Sequence, residues 1–430
     1  MAIKTKRFIN NVKNCSCSMP GVWRAVAYCN GAVVIFHSPK ACAHVTRTMD
    51  INACYRVSSN DQIELLHSVP LLSTQMEEKH SIFGGISQLE KCAEFAIENY
   101  KPKCLVIANS CVAGVIGDDV ESVARKIQYN YNLPVITVDC YGFLDGEYYQ
   151  GYFEVTKKLI NTFLKPLPKK QGTVVLLGDN GGPWGNYAIE VTRLLKKLNI
   201  EVIGQFPGYL PIEKLSVITQ AEASIILGGR GQSTDILIKI AGELNSKFGI
   251  KYFDEMYPVG ANNTKNWIYN VGKLMNCQEV ANKLIKEEEE NLCSAMKKYL
   301  PYTSNKKVIL CIGRLLKYFD PINILEIIDK LYLDLRCIVL LNAYDEKSSN
   351  LMKAAIEKYT DVCICSGEIG ESLLDGVDIV FTTHELRNKN IRQLFLPMLP
   401  NVGITGEIAL MEVIYKALCS KFTHGGLRYV

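Results

Sequence analysis

The sequence predicts an α/β protein of three Rossmann-like domains, each a parallel sheet flanked by helices, and three observations carry that prediction. Short β-rich apolar runs alternate with segments of helical periodicity along the whole 430-residue chain, which is how βαβ units and parallel sheets read. The length is about three times that of a common single domain. Two Pro-containing, lysine-bearing polar stretches, at 165–172 and 299–307, each precede a new strand-like run, as linkers between α/β domains do. The expected domains are therefore 1–168, 169–303 and 304–430.

In the first domain the strand-like runs are 32–36, 104–108 and 134–138, with helical periodicity over 87–100 and 119–131. The second opens on a strand at 173–177, followed by a helix at 188–198, strands at 201–203 and 224–227, and a helix at 234–248. A polar helix passes through the acidic run 287–290 before the pattern restarts at 307–312, 337–341, 362–365 and 378–381.

Composition excludes several function classes. Hydrophobic residues make up 48% of the chain and charged residues 21%, the profile of a globular protein rather than a disordered one. Forty-eight basic against 44 acidic side chains leave a net charge of +4, too small and too evenly spread to indicate a nucleic-acid or anionic-membrane partner. No apolar run approaches the roughly 18–20 residues that cross a bilayer. The first eight residues are basic with no apolar stretch behind them, so a signal peptide is not expected. A soluble, cytoplasmic protein is.

Sixteen cysteines are many for such a chain. In the cytosol, thiols in this number point to metal, redox chemistry or apolar packing rather than to a disulfide framework. Three have the local context of a ligand. Cys17 lies in the turn-rich stretch Asn-Cys-Ser-Cys-Ser-Met-Pro-Gly, Cys42 just beyond the run 32–36, and Cys111 just beyond the run 104–108. Open α/β sheets place functional groups at the carboxyl ends of their strands, and soft thiolates there suit iron–sulfur or zinc sites. There is no zinc-ribbon CxxC pair, and the CxC of Cys15 and Cys17 is unusual for a zinc finger.

The words around these cysteines resemble the nitrogenase component 1 family, which includes nitrogenase itself, its cofactor-assembly scaffold and dark-operative protochlorophyllide reductase. Members carry three cysteines per subunit with the first two spaced as here, 25 residues apart, and the third opens the motif Cys111-Val-Ala-Gly-Val-Ile-Gly-Asp-Asp119. Upstream, Ser73-Thr-Gln-Met-Glu-Glu-Lys-His-Ser-Ile-Phe-Gly-Gly85 is similar to the family's Glu-Lys and Phe-Gly-Gly element. Asp179-Asn-Gly-Gly-Pro-Trp-Gly185 resembles its Asn-x-Gly-Gly turn, and Leu310-Cys-Ile-Gly-Arg-Leu315 its strand-Gly-Gly-Leu element.

The resemblance implies that Cys17, Cys42 and Cys111 ligate an iron–sulfur cluster, [4Fe–4S] or a P-cluster-like [8Fe–7S], near a subunit interface. Three thiolates fall short of the four that a [4Fe–4S] cluster takes. Cys15, an exogenous ligand or a second component 1-type subunit would complete the set, and the last is favoured, as a homodimer or a heterodimer-based tetramer. Phe83, Gly84 and Gly85 would face the docking site of an ATP-dependent, Fe-protein-like reductase, an exposed aromatic being a natural interface anchor; an ordinary turn packed by one Phe is the equal alternative. Cys104, Cys140, Cys311 and Cys337 lie on or beside apolar runs and read as packing residues.

The chain departs from nitrogenase proper where that enzyme holds its large cofactor. Gly228 stands where the family's Cys would fall, and 394–403 has no His where that ligand is expected. The nearest, His384, reads as a strand-end residue. A nitrogenase-type FeMo cofactor in this chain is therefore not expected. The Gly-rich turn 178–185 has neither GxGxxG spacing nor a P-loop Lys-Ser and reads as a tight structural turn. Asp118 and Asp119 read as capping carboxylates at a helix start.

The expected activity is electron relay. The reductase passes electrons one at a time to the cluster, and from there they reach a substrate or metallocofactor between the domains. No Ser-His-Asp set, HExxH or carboxylate pair offers a hydrolytic mechanism. A cofactor-assembly scaffold without turnover would use the same cysteines. A metal-free binding protein would need none of them.

Overall fold

In the computed structural model of the protein, the residues described are 2–3, 17–58, 68–141, 148–178, 182–228, 232–253, 257–316, 319–341, 346–367, 369–374, 376–386, 391–396, 400–420 and 427–429. Three parallel sheets flanked by helices make up the fold. The first runs in the order Leu71–Ser73, Ala32–His37, Cys104–Ser110, Val135–Cys140. The second runs Glu201–Phe206, Lys170–Leu177, Ala221–Ile226. The third has six strands in the order Ile364–Ser366, Asp334–Leu340, Lys307–Ile312, Ile379–Thr382, Gln393–Phe395, Leu427–Tyr429. A short antiparallel pair, Ala2–Ile3 with Ile369–Gly370, stands outside these sheets.

Two compact units result. One holds the described residues from 17 to 228 together with 232–253, hence the first two sheets; the other holds 2–3 and the residues from 257 onward, hence the third sheet. The helices Ala261–Leu274 and Gln278–Thr303 belong to the second of these units.

Every residue of the strands Ala32–His37 and Cys104–Ser110 is buried, as in sheets covered on both faces. Alternation along each strand divides the core in two. Val34, Phe36 and Val106 face a cluster that also contains Val175, Leu177 and Phe206 of the second sheet, and Leu159 and Ile240 of the helices Tyr148–Phe163 and Gln232–Phe248. Val33, Ile35 and Ile107 face Leu89, Ala93, Val123 and Ile127 on the helices Ile86–Tyr100 and Val120–Tyr131. The first two sheets therefore share one core.

Both polar stretches of the sequence are more ordered than loose linkers. Residues 164–169 are stitched to the 3-10 segment Ile212–Gln220: the Lys165 and Leu167 N–H groups donate to Ser216 Oγ (3.0 Å) and Thr219 Oγ1 (3.1 Å). The stretch after 299 stays helical to Thr303 despite Pro301, and only 304–306 separate it from the next strand. Tyr299 and Leu292 bury the helix against the third-sheet core, and the Thr303 hydroxyl donates to Leu331 O at 2.9 Å. Packing overrides the proline near the helix end.

Candidate functional site

Each of the three motif cysteines sits at a helix start. Cys17 is the N-cap residue of the helix Ser18–Val26, an element the sequence reading treats as loop. That helix crosses Tyr148–Phe163 in backbone contact, because glycine stands at both crossing points. A Cβ at Gly21 would lie 1.8 Å from Tyr148 O, and one at Gly151 would lie 2.2 Å from Ser18 O. Cys42 is in the first turn of the helix Lys40–Ser58, which follows the strand Ala32–His37; its N–H donates to Pro39 O at 3.2 Å. Cys111 opens the helix Cys111–Ile116 directly after the neighbouring strand Cys104–Ser110, and Ser110 caps that helix, its Oγ accepting from Ala113 N at 3.3 Å. Gly114 lets Tyr141 lie flat on the same helix, since a Cβ there would meet the ring at 2.1 Å.

The three sulfurs feel one another. Burial pushes the Cys17 thiol up, the Met19 N–H opposes it, and Cys111 raises it further. Burial also raises Cys42, followed by Cys17; the Ser38 hydroxyl pulls it down and Cys111 adds to the rise. Cys140, buried as expected of a packing residue, is raised by burial and then by Cys17. Neighbouring thiolates thus oppose ionisation of Cys17, Cys42 and Cys140, and a cation among them would reverse the sign and favour thiolates.

Among the described residues, no three His, Cys, Asp or Glu side chains are gathered tightly enough to hold a single metal ion. Mutual electrostatic reach without single-ion spacing suits a cluster, whose iron atoms are spread over several positions, better than a mononuclear site. Two buried polar atoms nearby in sequence, Ser18 Oγ and Asn109 Oδ1, have no hydrogen-bond partner among the described residues. The thiol donor set fits an iron–sulfur group, and the Ser18 hydroxyl is a donor suited to a cluster sulfur, whereas the Asn109 Oδ1 acceptor is not accounted for by one. Cys15 lies outside the described residues, as do 179–181, 229–231 and 397–399 of the other motifs.

A network that the sequence reading missed supports this site. Buried His37, the last residue of its strand, bonds through Nε2 to Asp118 Oδ2 at 2.9 Å and through Nδ1 to Thr74 Oγ1 at 3.2 Å. The Asp118 carboxylate also accepts the Gly85 N–H, at 3.1 and 3.0 Å. Asp118 is therefore not a helix cap, contrary to expectation; Asp119 alone caps Val120–Tyr131, accepting from Ser122 N at 2.9 Å. Burial lowers the His37 pKa, with Asp118 working against it. The only advance signal was a His at one strand end and an Asp beyond the next.

Asp118 also explains the glycine pair. Gly84 has φ +82°, and a Cβ at Gly85 would fall 2.9 Å from each of Asp118 Oδ2, His37 Cε1 and Met76 Cε. The loop presses against the carboxylate and turns Phe83 outward. Phe83 is 85% exposed, Ile82 77% and Val115 78%. The helices that carry these side chains, Glu78–Phe83 and Cys111–Ile116, are in contact.

The remaining sequence candidates are structural. Gly178 has φ +114°, and Gly182 (φ +71°) opens the 3-10 segment Gly182–Trp184 before the helix Asn186–Lys197; the rest of the Gly-rich stretch, 179–181, lies outside the described residues. Gly228 is closed in: a Cβ would lie 2.8 Å from Thr234 Oγ1, and its carbonyl accepts from Tyr187 OH at 2.7 Å. His384, just beyond the strand Ile379–Thr382, bonds Thr383 Oγ1 at 2.9 Å and packs on Gly313. Burial, then Arg314, pushes its pKa down to about 4. Among the described residues no helix is long and apolar enough to cross a membrane.

Three parallel sheets flanked by helices, with cysteines beyond the ends of two adjacent strands, define an α/β protein of Rossmann-like construction, and comparison with known proteins gives the family. The nitrogenase component 1 type oxidoreductase family matches residues 17–417, and the chain belongs to it. It is 27% identical over 307 residues to the nitrogenase iron-molybdenum cofactor biosynthesis protein NifE of Clostridium pasteurianum, covering 67% of this chain and 63% of that protein. To the nitrogenase molybdenum-iron protein alpha chain of Acidithiobacillus ferridurans it is 25% identical over 330 residues, 71% of this chain and 64% of the other. The chain thus spans just under two thirds of the length of these curated relatives. The solved structure "Nitrogenase Cp1 at pH 6.5" shares the fold, with a TM-score of 0.64 and 15% identity over 97% of this chain and 91% of that one.

Proposed function

We propose that this chain is a component 1-type subunit that accepts electrons from an ATP-dependent iron–sulfur reductase and delivers them to a substrate. The observation that carries this reading is the set of Cys17, Cys42 and Cys111 at three helix starts, within electrostatic reach of one another, with Val115 exposed on the helix that Cys111 opens. These thiolates would hold the iron–sulfur cluster, [4Fe–4S] or [8Fe–7S], with a second component 1-type subunit, in a homodimer or heterotetramer, completing its ligands. When bound, such a cluster supplies one-electron transfer. The chain's own part is to orient the thiolates: the Gly21–Gly151 crossing fixes Cys17, the Ser110 cap fixes Cys111, and the Ser38 hydroxyl stabilises a Cys42 thiolate. Phe83 with Ile82 and Val115 would seat the reductase, Gly84 and Gly85 shaping the loop around Asp118. No FeMo-type cofactor is included, because Gly228 offers no thiol and 394–403 contains no His.

The test is iron and acid-labile sulfide per chain on anaerobically purified protein, with EPR of the dithionite-reduced sample. Iron near two to four per chain, lost on Cys42→Ala and on Cys111→Ala, supports the reading. No iron after anaerobic reconstitution overturns it. The resemblance to NifE favours a second reading, a cofactor-assembly scaffold. Transfer of the cluster to an apo-protein without reductive turnover would select it.

A further inference from the structure

Far along the sequence from this site, a second group of thiols converges in the unit of the third sheet. Cys363 and Cys365 flank Ile364 at the start of the edge strand Ile364–Ser366, and their sulfurs are 3.8 Å apart, within S–H···S distance. Residues two apart on a strand share a face. Cys363 is exposed and Cys365 half-buried. Cys337, on the neighbouring strand, takes the place opposite Cys363, because the register pairs Ile338 with Ile364. Burial, then Cys365 and Cys363, lift the Cys337 thiol to about 11, so it stays protonated beneath the pair. The exposed Cys293 and Cys419 have no second sulfur in contact among the described residues.

Chelation is not the chemistry this arrangement suits, since no three ligating side chains close on one point among the described residues. Two touching sulfurs, one open to solvent and one behind it, are arranged for attack and resolution. We propose that Cys363 and Cys365 form a thiol–disulfide exchange site for small-molecule disulfides of the glutathione class. The Cys363 thiolate attacks one sulfur of RSSR, forming Cys363–S–S–R and releasing RS⁻, which takes the proton that Cys363 gave up. The Cys365 sulfur, deprotonated in turn, attacks the Cys363 sulfur, closes the Cys363–Cys365 bond and releases the second RS⁻, which takes the Cys365 proton. Two thiols are oxidised by two electrons and RSSR is reduced to two RSH.

The backbone makes the closed form labile. An extended strand sets residues two apart about 6.6 Å from Cα to Cα, at the upper end of the roughly 4.4–6.8 Å that a disulfide spans. Closure therefore strains the strand start, and strained, exposed disulfides are the readily reduced ones. The pair cycles rather than locks.

The experiment equilibrates the full-length protein with reduced and oxidised glutathione at a series of ratios, quenches with acid, alkylates, and weighs the peptides. With oxidised glutathione in excess, the peptide containing 363–365 loses two hydrogens and takes no alkylating agent; with reduced glutathione in excess it reopens. Cys365→Ser traps glutathione on Cys363 at an occupancy at least about tenfold above the unsubstituted protein, while Cys293 and Cys419 carry glutathione equally in both. A stable glutathione adduct on Cys363 at equal occupancy with and without Cys365 overturns the proposal. So does alkylation of both sulfurs at every ratio, or closure between Cys363 and Cys337 instead.

Discussion

The first and third sheets follow one construction plan and treat cysteine in opposite ways. In the first, Cys111 stands one residue past its strand and Cys42 five past its own, both at helix starts, half-buried and within reach of Cys17. In the third, Cys311 and Cys337 stand inside the strands Lys307–Ile312 and Asp334–Leu340, where burial lifts both thiols far from ionisation. A few residues along a strand decide whether a sulfur stands at the edge of the sheet or serves as a small apolar filler. The histidines differ in the same way. His37 ends its strand against a carboxylate, whereas His384 lies just past its strand beside the Arg314 cation.

The sharpest way to break the comparison is substitution at both kinds of position. Cys42→Ala or Cys111→Ala should remove nearly all iron and acid-labile sulfide, a loss of about tenfold or more, whereas Cys311→Ala should leave both unchanged, read by the same assay. Next comes the support beneath Cys17. Gly21→Ala or Gly151→Ala forces a methyl into backbone and should cost at least about 3 kcal/mol in urea unfolding; an effect below about 1 kcal/mol would mean that the two helices separate freely.

A smaller effect distinguishes surface from core. Phe83→Ala should change stability by less than about 0.5 kcal/mol yet weaken reductase binding by about 2 kcal/mol, roughly thirtyfold, measurable by titration of the two components. The smallest concerns pH. His384 has its folded pKa depressed to about 4, below the unfolded value of about 6.5. The unfolded state therefore binds more protons between these values, and stability falls as pH drops from about 6.5 to about 4. His384→Gln should flatten that part of the Tm–pH curve. Removing His37 should flatten it less, because Asp118 opposes the depression there.

Much of the fold was legible because parallel strands are buried on both faces and so appear as unbroken apolar runs; 307–312 and the core of 104–110 are read directly. The edge strand Leu71–Ser73 was not, since three half-buried residues make no run. The helix Ser18–Val26 was hidden by its glycine and proline, whose purpose at Gly21 is a contact with a segment about 130 residues away. In the site, the motifs single out the cysteines, whose ligand role is part of the proposed function, but Asp118 was misread. A carboxylate at a helix start looks like a cap, and only the folded chain brings His37 and the Gly85 N–H to it. Cys363 and Cys365 passed unnoticed within an apolar run, although CxC on a strand places both thiols on one face.

The shared core of the first two sheets bears on how the molecule can be cut. A break after residue 168 falls where the polar sequence invites it, yet the backbone there is tied to Ser216 and Thr219. Leu159, Val34 and Phe36 would lose Phe206, Leu177 and Ile240 from the same cluster. A fragment ending at 168 would carry every motif cysteine and still present a bare apolar face. A truncation meant to keep the cysteines' surroundings intact has to keep both sheets, because one core serves the two.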